Sequence, residues 1–82
     1  MIIYVNRKEN LVFNETDYRM MYTDAAANSI FELDEDFLNF IDKTYTPRQA
    51  FILGRGRYDE IVDIYADYLQ AEDIQNWEKM EI

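Results

Sequence analysis

Carboxylates are the reactive groups this chain has in quantity. It carries 17 Asp and Glu against 8 Lys and Arg, has neither His nor Cys, and bears a net charge of −9. Acid–base or nucleophilic work would therefore fall to Asp, Glu, Lys, Tyr, Ser or Thr. Paired carboxylates become catalytic only in a cleft that holds a substrate, and 82 residues leave little room for one. The expectation is a protein that is not an enzyme. Oxygen ligands suit Ca²⁺ or Mg²⁺, and Asp34, Glu35 and Asp36, or Asp59 and Asp63, lie close enough in sequence to raise the question. The calcium-loop pattern is missing, because Asp36 is followed by Phe37-Leu38-Asn39-Phe40 and no glycine. Asp34–Asp36 reads better as a helix cap with a favourably charged first turn. No metal and no cofactor are expected. Gly54-Arg55-Gly56-Arg57 lacks the spacing and the Lys-Ser/Thr of a phosphate-binding loop. With Arg48 these arginines could form a small basic spot; the favoured reading is a glycine turn whose arginines pair with surplus acids.

The distribution of the acids is more informative than their number. Met20 to Asp42 holds six acids and no Lys or Arg, Lys43 to Arg57 four cations and no acid, and Tyr58 to Glu78 seven acids and no cation. A surface serving only solubility normally interleaves both signs. Asp59, Asp63 and Asp67 recur every four residues, so on a helix they climb about 6 Å per step. That is roughly every second phosphate along one DNA strand, at about 3.4 Å per phosphate. With Glu60, Glu72, Asp73 and the cluster Glu32, Asp34, Glu35 and Asp36, the row makes an anionic array suited to a groove built for nucleic acid. The plainer reading is a solvated helix face.

These acids need elements to hold them. Tyr58–Gln70 has Ile61, Ile64, Tyr65, Tyr68 and Leu69 at three- and four-residue spacing, which predicts the strongest helical stretch and the longest of the helices, buried opposite its aspartates. The pattern loses phase beyond Gln70, predicting a break near Ala71–Asp73 and a further short turn. Residues 2–13 predict a β-hairpin with a four- or five-residue loop, Ile3 and Val5 sharing a face with Leu11 and Phe13. Asn14 predicts an N-cap for a helix over roughly Glu15–Asn28, whose alanine run allows close approach of a neighbour. Ser29–Leu33 reads equally as a short strand or the end of that helix. Asp34 caps a short helix ending near Lys43, with Phe37, Leu38, Phe40 and Ile41 on its apolar face. Thr46-Pro47-Arg48-Gln49 has the form of a capping box opening another short helix through Leu53. The tail Trp77–Ile82 is a candidate third strand beside the hairpin. The expected fold is a single α+β domain, a small N-terminal hairpin packed on three to four short helices.

Seven Tyr, five Phe and one Trp supply a core and argue against disorder. The opening MIIYVNRKEN has too short an apolar run for a signal peptide or a membrane span, so a soluble cytoplasmic protein is expected. Negative charge of this size repels nucleic acid and anionic membranes and favours basic partners.

In size, acidity, lack of Cys and His, the beginning IIYVNRKENLVF and the tail Asn76-Trp77-Glu78-Lys79-Met80-Glu81-Ile82, the chain resembles small proteins of phages and mobile elements of Gram-positive bacteria. Anti-CRISPR and anti-restriction proteins are among them, several of them acidic and bound to the DNA-binding surfaces of nucleases. The resemblance implies an inhibitor that acts by binding a basic nucleic-acid-handling protein such as a CRISPR nuclease in the host cytoplasm, without contacting nucleic acid or membrane itself. The alternative is a non-catalytic phage accessory or antitoxin-like module that docks through an apolar, aromatic face.

Overall fold

The computed structural model describes residues 1–46, 48–49 and 58–82, and of residues 58 and 59 the backbone alone. Among them the chain is α+β, with one three-stranded antiparallel sheet and three α-helices. Strands β1 (Ile2–Asn6) and β2 (Leu11–Asn14) form the hairpin, closed by a four-residue turn. Buried Asn6 anchors that turn by accepting a hydrogen bond from the Glu9 amide at 3.0 Å, and Asn10 takes the left-handed conformation the reversal needs, at φ 58°. Strand β3 (Glu78–Glu81) pairs with β1 on its other side, giving the order β2-β1-β3. The tail is thus the third strand.

The register corrects the expected hairpin face. Tyr4 lies opposite Phe13 and Val5 opposite Val12, so Phe13 shares the Tyr4 face and not that of Ile3 and Val5. The helices cover the Tyr4–Phe13 side. The ring of Tyr4 stacks on Tyr18 at 3.8 Å between centroids, and Phe13 meets Trp77 at 5.7 Å. Aromatic area on alternate residues therefore decides which side is buried.

Helix α1 (Glu15–Glu32) begins where expected, with the Asn14 side chain accepting from the Asp17 amide at 2.7 Å. It runs four residues beyond the expected end, so Ser29–Glu32 is helix. Leu33 stops it in the left-handed region (φ 49°, ψ 48°), and the Asp34 amide donates back to Ser29 O at 3.1 Å while Leu33 N donates to Ile30 O. This is the paired C-terminal cap usually built on glycine. Asp34 then turns to its second task, accepting from the amides of Asp36 and Phe37 as N-cap of α2 (Glu35–Thr44). Phe37 and Phe40 of α2 are buried, whereas Leu38 is exposed. Thr46 and Gln49 make the reciprocal bonds of a capping box; the expected helix through Leu53 and the Gly54–Arg57 link lie outside the described residues.

Helix α3 (Tyr58–Asp73) extends three residues past Gln70 and gives way to a 3₁₀ turn, Ile74–Asn76. At 16 residues it is shorter than α1, at 18, and so is not the longest helix as expected, because α1 stops only at Leu33. It lies antiparallel against α1, with Tyr65 near Ser29 at one end and Asp73 bonded to Tyr22 at the other. Ala26 of α1 and Ala66 of α3 are both fully buried, which is what lets two helices bearing so many aromatic side chains approach closely. The core comprises Tyr18, Tyr22, Ala26, Phe37, Phe40, Ile61, Tyr65, Ala66 and Trp77.

Leu33 is 64% exposed, so its side chain contributes little burial while its backbone occupies a region unfavourable to a residue with a Cβ. Leu33→Gly is therefore expected to stabilise the fold by about 0.5–1 kcal/mol, read as a rise of several degrees in Tm. A fall in Tm would show that Leu33 packs in a way its exposure does not reveal.

Candidate functional site

Seven of the ten acidic residues singled out from the sequence fall into three groups. Asp34 and Asp73 have internal work. Asp34 is the cap between α1 and α2. Asp73, at the end of α3, accepts from the Tyr22 hydroxyl at 2.7 Å, the Asn76 side-chain amide at 2.6 Å and the Trp77 indole N–H at 3.0 Å. Partial burial pushes its carboxyl up, but these three donors outweigh burial and hold it below the usual carboxylate range. The Tyr22 hydroxyl is pushed above the usual tyrosine range, first by burial and then by its bond to the Asp73 carboxylate.

The second group is the aspartate row. Asp63 and Asp67 are exposed on α3, and the backbone places Asp59 one turn earlier. The row is not left to solvent. Arg19 of α1 reaches across, its Nη1 2.8 Å from Asp67 Oδ1 and its Nη2 4.0 Å from Asp63 Oδ1, with further bonds to Gln70 Oε1 and Asp63 O. An ion pair this exposed contributes at most about 1 kcal/mol, yet it places one cation over the middle of the row. Sequence reasoning missed it because Arg19 lies before the acidic blocks, in residues 1–19, where Arg7, Lys8 and Arg19 balance Glu9, Glu15 and Asp17. The available signal was its position next to Tyr18 on a helix whose neighbouring face is buried.

The third group converges. Asp36, in the first turn of α2, and Glu72, in the last turn of α3, come from the two separate acidic blocks and line one cleft of about 450 Å³ between these helices. Its walls include the rings of Phe40, Tyr65 and Tyr68, packed at 4.7–5.9 Å between centroids. Lys43 is its one cation among the described lining residues. Both carboxylates act on the exposed Tyr68 hydroxyl, whose pKa is raised first by Glu72, with Asp36 adding to the effect. For Tyr65 burial leads, with Asp34 and Asp36 contributing. Negative potential and aromatic faces thus meet in one recess, the pairing that receives a guanidinium or ammonium group. Glu32, Glu35 and Glu60 are exposed and are not among the described residues that line this cleft.

Other features gather less. A wider depression of about 540 Å³ runs along α1 past Glu15, Thr16, Arg19, Met20 and Thr23, but it is a furrow on one helix with a single carboxylate. Among the described residues no group of three or more acidic side chains is placed to hold a metal ion. No helix of the described residues is long and apolar enough to cross a membrane. Arg48 is exposed, while Arg55 and Arg57 lie outside the described residues. Compared with known families, curated proteins and solved structures, the chain matches none.

Asp73→Ala would leave the Trp77 indole and Tyr22 hydroxyl without their acceptor, and is expected to cost about 3 kcal/mol, a loss of more than about 10 °C in Tm for a chain this size. The pH dependence follows from the two shifts. A carboxyl held below its unfolded value stabilises at neutral pH, and that contribution disappears as pH falls through the folded pKa. A tyrosine held above its unfolded value stabilises below about pH 10 and loses the contribution as pH rises beyond that. Denaturant titrations of wild type and Asp73→Asn from acid to alkaline pH should therefore show the wild-type advantage shrinking on acidification. A constant gap down to acid pH would contradict the hydrogen-bonded carboxylate.

Proposed function

We propose that the chain is an acidic inhibitor that binds and blocks the basic nucleic-acid-binding surface of a nuclease, most concretely a CRISPR nuclease. The supporting observation is the convergence of Asp36 and Glu72 on one aromatic-walled cleft; Asp63 and Asp67 stand on another face of α3, beside Arg19 of α1. An Arg or Lys that ordinarily holds a phosphate would enter the cleft and exchange phosphate oxygens for the two carboxylates. Its aliphatic stem would lie on Phe40 and Tyr68. Lys43 would be displaced towards solvent, and Arg19 would limit how much the aspartate row adds. Recognition of this kind is steered by long-range charge, fast to form and weakened by salt. No bond is made or broken, so the proposal needs no cofactor.

One observation favours the second reading, a module docking through apolar groups. Phe31, Leu33 and Leu38 are all exposed around the junction of α1 and α2. Binding carried by these side chains would be indifferent to salt and lost on their replacement.

The test is capture of a guide-loaded CRISPR nuclease by the tagged chain, with and without excess duplex DNA bearing its target. Capture that DNA and salt displace is expected. The double variant Asp36→Asn/Glu72→Gln should weaken it at least tenfold with the fold unchanged, and Asp63→Asn/Asp67→Asn should weaken it less, since Arg19 already counters that pair. Full-strength binding by the Asp36/Glu72 variant would sink the cleft as the anchor. Failure to capture, or capture indifferent to DNA, would overturn the inhibitor reading.

A further inference from the structure

The sheet has two apolar faces, and the described helices cover only one. Tyr4 and Phe13 pack against the core. The register sends Ile3, Val5, Val12 and Met80 to the opposite face, and the Met1–Ile82 pair, bonded in both directions at 2.8 Å, continues that face by one more rung. Val12 is 63%, Met1 76% and Ile82 71% exposed, and none of these side chains belongs to the core or its surrounding layer. Antiparallel sheets with a wet face normally alternate polar residues outward. Here the outward positions are Ile3 and Val5 on β1, Val12 on β2 and Met80 on β3, with Asn14 and Glu78 the polar ones.

We propose that a second copy of this chain packs on this face, sheet against sheet. Charge is the reason. The acid on this face, Glu78, is neutralised by Arg7, whose Nε and Nη2 lie 3.2 and 3.3 Å from its two carboxylate oxygens. The face is thus electrically neutral on a protein of net charge −9. A basic partner finds nothing here to pair with, whereas a second copy offers an equally neutral, apolar surface of the same size. Packing the sheets back to back, about 10 Å apart, also leaves the acidic helices of the two copies on opposite outer sides. Like charges are then kept far apart. Area, by contrast, limits the strength. Three strands of about five residues cover roughly 14 by 17 Å, well below the roughly 800 Å² per partner of a standard interface. The dimer is therefore reversible and forms at high concentration. Because the copies repel through their net charge, added salt strengthens it, opposite to the salt response of a partner held by the acids.

Sedimentation equilibrium of the full chain from about 10 μM to about 1 mM tests this. The expected result is a rise from the monomer mass of 9.9 kDa towards twice that value, shifted to lower concentration by salt. Val12→Lys and Met80→Lys should each weaken association at least tenfold. Ile82→Lys, at an exposed chain end, repeats the test without disturbing the sheet should either variant lose its fold. A monomer throughout would overturn the proposal. So would a dimer untouched by Met80→Lys and Ile82→Lys, because these lie on β3, away from the free edge of β2, and association through that edge would not sense them.

Discussion

The structure depends on the carboxylate of Asp73. It closes α3, takes the hydroxyl of Tyr22 from α1, and accepts the indole N–H of Trp77 at the entry to β3. Trp77 in turn packs on Tyr18 and Phe13, and Tyr18 stacks on Tyr4 of the central strand. One acceptor thus joins the helix pair to the sheet. A half-buried charge is tolerable only because three donors surround it. With no cysteine in the chain, no disulfide can tie β3 to the core, and this carboxylate does so through Trp77.

This arrangement divides the acids by role. Asp73 and Asp34 are spent on the fold, one at the end of α3 and one between α1 and α2. Asp63 and Asp67 share Arg19. Asp36 and Glu72 stand in a recess whose walls are aromatic, where a cation would be held by both charge and ring faces. Acidity already divided into blocks along the chain is therefore uneven in space as well. The side best suited to a basic partner lies between α2 and α3, away from the neutral back of the sheet.

Much of the fold was legible in the sequence because it is written locally. Asn14 and Asp34 as caps, the break after Gln70 and the tail as a strand all follow from residues within a turn or two of the event. The misreadings were non-local. Hairpin register depended on Tyr4 and Phe13 finding Tyr18 and Trp77, which no alternation within residues 2–13 reveals. Whether Ser29–Leu33 ended α1 or formed a short strand stayed open because the left-handed cap fell on Leu33, where glycine or asparagine would have announced it. Arg19 over the aspartate row and the Tyr22 hydroxyl on Asp73 are contacts separated by more than 40 residues. The convergence of Asp36 with Glu72 was invisible for the same reason: it exists only once α2 packs on α3.

The central claim is that carboxylates on the α2–α3 side take the place of phosphates on a basic partner. The most direct test is hydrogen–deuterium exchange of the chain alone and bound to a guide-loaded CRISPR nuclease. The expected result is slowed exchange in the first turn of α2 and the last turns of α3, reversed when duplex target DNA competes. No complex, or protection confined to the sheet or to the Phe31–Leu38 junction, would contradict it.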